Sequence, residues 1–180
     1  MKIHEKFMKK CLSLAKLGSG KTKSNPLVGC VIVHDGKIIS QGYHQRYGEN
    51  HAEINAIQKV KNKKLLSEST LYVNLEPCFH YGKTPPCVNT IIKYKIKHIV
   101  IGTLDPFQHV NGNSIKKLKT QSKVTLNVLR EECIKINMKY FTNILLDRPY
   151  IILKWAESSD GFINDKKPGI TQISSTESSI

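Results

Sequence analysis

The pattern that most constrains this chain is an opening hairpin followed by a regular alternation of strands and helices. Residues 28–33 form a β-branched run, and residues 37–43 provide a return strand across a turn in which Gly36 supplies a positive φ. An apolar helical stripe over residues 4–17 precedes the hairpin. After the hairpin the periodicity predicts helices and strands in turn, with helices at 51–60, 88–94, 114–119 and 130–145 and strands at 70–75, 99–102 and 124–127. This order predicts an α/β fold in which helices cover both faces of a mixed, mostly parallel sheet.

Length and composition limit the class of protein further. The chain has 180 residues, enough for one domain of ordinary size or one domain plus a fragment, and 39% of them are hydrophobic. No apolar run approaches the 18 residues of a membrane span, and residues 1–10 lack the apolar stretch of a signal peptide. Five cysteines, an odd number, argue against a disulfide framework and for a cytoplasmic location. Three of them, Cys11, Cys30 and Cys133, lie on apolar faces and are expected to be core thiols.

The net charge of +14 raises the question of an anionic partner. Such a charge suits nucleic acid, an anionic surface or a phosphorylated substrate. The basic residues, however, are 25 lysines and 3 arginines, scattered along the chain rather than clustered. Nucleic-acid binders usually keep more arginine for bidentate contacts. We therefore attribute the charge mainly to compositional bias with mild steering of a phosphorylated small molecule, and we expect neither a nucleic-acid nor a membrane partner.

Three residues form a metal-ligand set with an open position. His51 opens a predicted helix, Cys78 follows Pro77 in a loop, and Cys87 opens the next helix. One imidazole and two thiolates suit zinc, and a fourth position is then left for water. Glu53 lies two residues from His51 and does not share its helix face, so it is better placed to address the water or the substrate than the metal. This combination predicts hydrolytic deamination of an amino-substituted heterocycle.

The spacing of the two cysteines separates this chain from other deaminases. An H-x-E motif with a downstream P-C-x-x-C is the zinc-deaminase signature, whereas here eight residues lie between Cys78 and Cys87. A tRNA or other nucleobase deaminase is the first alternative, although that branch uses the short spacing. A catalytically inactive zinc-binding remnant is the second alternative. A purely structural zinc site would normally have four protein ligands, and no fourth cysteine is near.

Five motifs accompany this ligand set along the chain: Asn25-Pro26-Leu27-Val28-Gly29, Gly42-Tyr43-His44, His51-Ala52-Glu53, the run from Leu75 to Cys87, and Asp105-Pro106. Together they closely resemble the RibD family of bacterial riboflavin-biosynthesis proteins, in which the long insert between the cysteines is typical. The resemblance implies a three-layer, cytidine-deaminase-like fold over residues 1–147. It also implies an aminohydrolase that deaminates 2,5-diamino-6-ribosylamino-4(3H)-pyrimidinone 5′-phosphate and releases ammonia.

The same resemblance assigns roles to individual residues. It implies one zinc ion per chain, held by His51, Cys78 and Cys87, with Glu53 carrying protons. It places Asn25 and His44 against the substrate, His80 and Lys83 at its base and phosphate end, and Asp105 at the pocket. The sequence departs from the family at Phe107, where asparagine is common, and at Ser114, where glycine is usual.

The last part of the chain resembles a different domain. A predicted strand, Tyr150 to Trp155, begins a segment similar to the opening of the NADPH-dependent reductase domain that follows the deaminase in this family. We therefore divide the chain into a zinc-dependent deaminase domain, 1–147, and a truncated start of a reductase domain or a tail, 148–180. No dinucleotide-binding domain can be built from so few residues, so NADPH is expected only if the native protein has a complete reductase domain. We expect Ile151 to Trp155 to pack on the body of the protein or on a second copy.

Overall fold

A five-stranded mixed sheet forms the centre of residues 1–149. The structure is a computed structural model that describes residues 2–82, 85–107, 110–159 and 161–163. The strands lie in the order β2-β1-β3-β4-β5, where β1 is Gly29–His34, β2 is Lys37–Tyr43, β3 is Thr70–Leu75, β4 is His98–Thr103 and β5 is Lys123–Thr125. β1 pairs antiparallel with both β2 and β3, whereas β3, β4 and β5 are parallel. Four of the five strands therefore run in one direction, which confirms the mixed, mostly parallel sheet.

Helices cover both faces of this sheet. Their bounds are α1 Lys2–Lys16, α2 Ala52–Lys59, α3 Cys87–Lys93, α4 Asn113–Leu118, α5 Arg130–Ile136 and α6 Met138–Leu146, with a 3-10 helix at Lys63–Glu68. One apolar core joins α2, α3 and α4 to one face, and a second core joins α1 and α5 to the other. The result is the three-layer architecture that the sequence predicted. No helix in the described part of the chain is long and apolar enough to cross a bilayer.

The two cores follow from the two-residue period of the strands. In β1, Cys30 and Ile32 contribute to the core of α2 and α3, whereas Val31 and Val33 contribute to the core of α1. β3 and β4 repeat this division, and every one of these side chains is buried. Continuous apolar strands of this kind are expected where a sheet is covered on both faces. Cys11, Cys30 and Cys133 are all fully buried, as predicted.

Two glycines let helices approach the sheet closely. A Cβ added at Gly29 in β1 would lie 2.1 Å from the carbonyl oxygen of Cys11 in α1. A Cβ added at Gly42 in β2 would lie 2.5 Å from the backbone nitrogen of Ala56 in α2. Only glycine fits such separations, so Gly42 determines how near α2 lies to the sheet.

The predicted helix 130–145 is in fact two helices. Asn137 interrupts it with φ −109° and ψ 20°, and α6 starts at the next residue. The Asn137 side chain does not face solvent but bonds the backbone of Leu27, 110 residues away. The sequence pattern also missed the 3-10 helix Lys63–Glu68, which Asn62 caps by accepting a hydrogen bond from the backbone of Lys64.

The chain divides into two compact units, Met1–Pro149 and Tyr150–Ile180. The strand predicted at Tyr150 to Trp155 is wrong, because residues 150–158 form neither helix nor strand. A strand needs a hydrogen-bonded partner, and no described strand pairs with these residues. The second unit contains a turn in which the Ser158 amide donates to the carbonyl of Phe162 at 2.8 Å. The origin of residues 148–180 in a reductase domain stays a prediction.

Candidate active site

Three element ends bring the predicted metal ligands together. His51 is the N-cap of α2, in an extended conformation with φ −70° and ψ 165°. Cys78 lies in the loop that follows β3, and Cys87 is the first residue of α3, directly after Pro86. The Cys87 amide donates to the Cys78 sulfur at 3.2 Å, and the Val88 amide donates to the Cys78 carbonyl at 3.3 Å. The N-terminus of α3 therefore holds Cys78 in place.

The donor atoms of this set are spaced as zinc requires. His51 Nδ1 lies 3.4 Å from the sulfur of Cys78 and 3.4 Å from that of Cys87. All three donor atoms lie within 4.8 Å of one another. For zinc–nitrogen and zinc–sulfur bonds of about 2.1 and 2.3 Å in a tetrahedron, the nitrogen–sulfur separation is about 3.6 Å. The residues therefore fit a single zinc ion with three protein ligands.

Without a metal ion, the cluster favours thiolate at Cys78 but the protonated forms of His51 and Cys87, whose protons metal binding would displace. A hydrogen bond from Cys87 and another with His51 lower the pKa of Cys78, while the Cys78 sulfur raises the pKa of His51 to about 9. The pKa of Cys87 is raised by its thiol contact with Cys78 and by burial. Since thiolates are the ligating form of cysteine, the site already stabilises one of the two sulfur ligands as an anion.

Glu53 lies beside this cluster in the first turn of α2. Its side chain is only 3% exposed and interacts with the Cys87 thiol. Burial raises the pKa of the Glu53 carboxyl to about 7. A carboxyl with this pKa can both accept and donate a proton near neutral pH.

His44 and Asn25 meet on the wall next to His51. The His44 ring nitrogen Nδ1 lies 3.1 Å from the carbonyl of Asn50, so Nδ1 carries the proton and donates it. Nε2 then accepts from the Asn25 amide at 3.2 Å. Burial lowers the pKa of His44, which keeps the ring neutral, and the ring stands edge-on to His51 at 5.4 Å between centroids.

Asp105 also lines the cavity and is fixed by several partners. Its Oδ1 accepts from the Phe107 amide and from the Tyr140 hydroxyl, both at 2.9 Å. Its backbone amide donates to the buried carboxylate of Glu76 at 3.2 Å. Glu76 also accepts from the Gly112 amide and from the Ser114 hydroxyl, so serine at 114 contributes a polar contact to this loop. Burial raises the pKa of Asp105.

The remaining two predicted substrate residues are His80 and Lys83. His80 is exposed, and its ring lies 5.7 Å from that of Phe107, which stands where the family commonly has asparagine. Lys83 lies outside the described residues.

One cavity of about 330 Å³ joins these groups. Its lining includes seven of the predicted site residues: Asn25, His44, His51, Glu53, Cys78, His80 and Asp105. Sequence reasoning missed four lining residues of note, Tyr47, Glu76, Tyr140 and Ile144. Glu76 lies within the motif Leu75 to Cys87, so the sequence could have indicated a role for it. Tyr140 and Ile144 line the cavity from α6, and no sequence motif pointed to them.

The comparisons with known proteins agree with this arrangement. Residues 1–103 match the sequence profile of the cytidine and deoxycytidylate deaminase zinc-binding region. The RibD protein of Aquifex aeolicus is 43% identical over 177 residues, which cover 98% of this chain and 49% of that protein. The chain thus spans about half the length of that relative.

A shorter relative and a crystal structure extend the match. The diaminohydroxyphosphoribosylamino-pyrimidine deaminase of Buchnera aphidicola subsp. Schizaphis graminum is 42% identical over 79% of this chain and 97% of its own length. The deaminase/reductase of Thermotoga maritima superposes with a TM-score of 0.90 at 41% identity, over 97% of this chain and 50% of that one. The ligand geometry, the sheet order and these relatives together show that the chain belongs to the zinc-binding cytidine and deoxycytidylate deaminase family, in the group that contains the RibD proteins.

Proposed function

We propose that this chain catalyses the zinc-dependent hydrolytic deamination of 2,5-diamino-6-ribosylamino-4(3H)-pyrimidinone 5′-phosphate in riboflavin biosynthesis. The observation that carries the proposal is the convergence of His51, Cys78 and Cys87 beside a buried Glu53 on the wall of one cavity. The relatives named above support the choice of substrate, since the Buchnera protein has almost the same length as the matched segment and is named for this deamination.

His51, Cys78 and Cys87 would hold one zinc ion per chain. When bound, zinc polarises a water molecule and makes it a nucleophile near neutral pH. The three donors account for three tetrahedral positions, and no fourth His, Cys, Asp or Glu joins their group among the described residues. A zinc ion held by these three residues would keep one position open to a water molecule.

Glu53 moves the proton in this reaction. The oxygen of water forms a bond to the ring carbon that carries the amino group, and the Glu53 carboxylate accepts a proton from that water. The protonated carboxyl then donates that proton to the amino nitrogen, the carbon–nitrogen bond breaks and ammonia leaves. The second proton of the water moves to the adjacent ring nitrogen as the ring carbonyl forms. Water and the amino-substituted ring are consumed, and the carbonyl product and ammonia are released, so the step needs no other reactant.

The cavity walls would orient the substrate. The neutral His44 and the Asn25 amide offer a hydrogen-bonding edge next to the metal ligands, and Asp105 offers a carboxylate to an amino group of the substrate. His80 would serve the base and Lys83 the phosphate, as the resemblance implies. Phe107 adds an apolar ring to the cavity lining beside His80.

We propose only the deaminase step for the residues of this chain. The Thermotoga relative is named as a deaminase and reductase, and this chain covers 50% of it. NADPH is therefore expected to bind only where a complete reductase domain is present. A cytoplasmic location, as inferred from the cysteines, belongs to the same proposal.

Ammonia release tests the proposal directly. Purified zinc-loaded protein should release ammonia from the ribosylaminopyrimidine phosphate and not from tRNA. Release from tRNA alone would favour the nucleobase-deaminase alternative. A zinc-loaded protein that releases ammonia from neither substrate would favour the inactive zinc-binding alternative.

A further inference from the structure

The amide of Asn137 connects two separate walls of the cavity. This side chain lies at the break between α5 and α6 and is only 3% exposed. Its Oδ1 accepts from the Leu27 amide at 2.7 Å, and its Nδ2 donates to the Leu27 carbonyl at 3.0 Å. Both polar groups of one backbone residue are therefore held by one side chain.

One of these walls is the segment around Leu27. Asn25, Pro26 and Val28 line the cavity on either side of Leu27. The Val28 carbonyl accepts from the His44 backbone amide at 2.9 Å, and the Asn25 side chain contacts the His44 ring. The position of Leu27 thus determines where Asn25 and His44 lie.

The other wall is α6 itself. Asn137 immediately precedes α6, and Tyr140 and Ile144 on this helix line the same cavity. Tyr140 in turn holds Asp105 through its hydroxyl. A shift of α6 would therefore move Asp105 relative to Asn25.

Asn74 supports one half of this contact but cannot replace it. Its Nδ2 also donates to the Leu27 carbonyl at 3.0 Å, and its Oδ1 accepts from the Gly29 amide at 2.7 Å. Asn74 belongs to β3, so it fixes Leu27 to the sheet. Asn137 is the residue that ties Leu27 to α6, and the Leu27 amide has no other acceptor among the hydrogen bonds of the described residues.

We infer that Asn137 is a positioning residue that sets the separation of the Asn25–His44 wall from the Asp105–Tyr140 wall, and thereby controls substrate affinity rather than the metal chemistry. This inference rests on the proposed function, because its kinetic test needs turnover of the ribosylaminopyrimidine phosphate. The hydrogen bonds of the Asn137 side chain that the structure describes go to Leu27 and not to a metal ligand. The metal ligands and Glu53 lie within residues 1–103, the region matched by the deaminase profile, whereas Asp105 and α6 lie beyond it.

Kinetics of Asn137→Ala test this role. We expect KM for the ribosylaminopyrimidine phosphate to rise at least about fivefold, since small misplacements of binding groups weaken substrate interactions strongly. We expect kcat to stay within about threefold of the wild type and the zinc content to remain unchanged.

Ser69→Ala is the matched control, because it removes a buried hydroxyl that donates to the Leu65 carbonyl at 2.7 Å and does not line the cavity. This control should lower the melting temperature without changing KM.

A second variant keeps the test decisive if Asn137→Ala does not fold. Asn137→Asp has nearly the same size and retains an acceptor for the Leu27 amide, but it loses the donor to the Leu27 carbonyl. Its KM should rise at least about threefold above that of the wild type, because the bond to the Leu27 carbonyl is lost. A folded Asn137 variant with a lowered melting temperature and a KM within twofold of the wild type would show that the residue is merely structural, and would overturn the inference.

Amide hydrogen exchange separates this inference from the proposed function. Protection of the Leu27 and His44 amides should fall in Asn137→Ala and not in Ser69→Ala. If the wild type shows no turnover, the proposed function fails, while unchanged protection of the His44 amide in Asn137→Ala would independently overturn the coupling of the two walls.

Discussion

Burial gives Glu53 the properties of a proton carrier. An exposed glutamate has a pKa of about 4.3 and is a poor general acid at neutral pH. Burial of Glu53 raises its pKa to about 7, so both protonation states are accessible near neutral pH. The neighbouring ligands alone would not supply this function, because they must stay deprotonated to hold the metal.

Glu53→Gln tests the proton transfer at this residue. The amide has the same shape and is no metal ligand in the proposed site, so zinc should be retained at one equivalent per chain. Turnover should fall by about 10²- to 10⁴-fold, the usual contribution of general acid–base catalysis. Metal analysis and ammonia release measure the two quantities. Glu68→Gln, an exposed position in the 3-10 helix, is the control and should behave as the wild type. Full activity in zinc-loaded Glu53→Gln would contradict the assigned role.

The helix that carries His51 and Glu53 owes its position to a glycine in the neighbouring strand. α2 lies so close to β2 that a Cβ at Gly42 would approach both Ala56 N at 2.5 Å and Ala52 O at 2.6 Å. These are backbone atoms and cannot rotate away. The distance from α2 to the sheet, and with it the place of the first metal ligand, therefore depends on Gly42.

Gly42→Ala should displace α2 and weaken the metal site. We expect a loss of about 1–3 kcal/mol in the free energy of unfolding, the typical cost of overpacking, together with weaker zinc binding. Denaturant unfolding and competition with a zinc chelator measure these two effects. Gln41→Ala, at the adjacent exposed position of the same strand, is the control and should change neither. Wild-type zinc affinity in Gly42→Ala would show that α2 is not held in this way.

A pair of histidines between α1 and β4 should make folding sensitive to acid. His4 and His98 have ring centroids 5.5 Å apart, with His4 bonded to the Tyr72 hydroxyl and His98 to the Thr125 hydroxyl. Burial lowers the pKa of both rings, as do the nearby charges of the N-terminus and Lys123 for His4, and of His4 and Lys123 for His98. The folded protein therefore binds these protons less readily than the unfolded chain, whose histidines have a pKa of about 6.5.

Because the folded protein binds these protons less readily, acid should destabilise the fold. The stability that neutral His4 and His98 contribute is present above about pH 6.5 and is lost as the pH falls toward their lower folded-state pKa values. The melting temperature should drop between pH 7.5 and pH 5, and His98→Asn should reduce that drop. An equal drop in His98→Asn and the wild type would exclude the pair as its source.

Across the whole molecule, the sequence predicted best those features that depend on residues close together in the chain. The strands and most helices were predicted because apolar residues recur with period 2 or 3.6, and the ligand set because its residues stand at helix starts and in a Cys-rich loop. The break at Asn137 was not predictable, because it depends on a hydrogen bond to a residue 110 positions away. Tyr140 carried no signal for the same reason, since its partner Asp105 is reached only in the folded chain. The false strand at residues 150–155 shows the converse, since an apolar run alone cannot supply a pairing partner.

The whole account depends on a zinc ion with three protein ligands and one free position. X-ray absorption at the zinc edge of the purified protein measures this coordination directly. We predict one zinc ion per chain, with two sulfur neighbours at about 2.3 Å and two nitrogen or oxygen neighbours at about 2.0–2.1 Å. Substitution of His51, Cys78 or Cys87 should abolish that signal. A shell of four protein ligands, or zinc that remains unchanged when these three residues are replaced, would contradict the account.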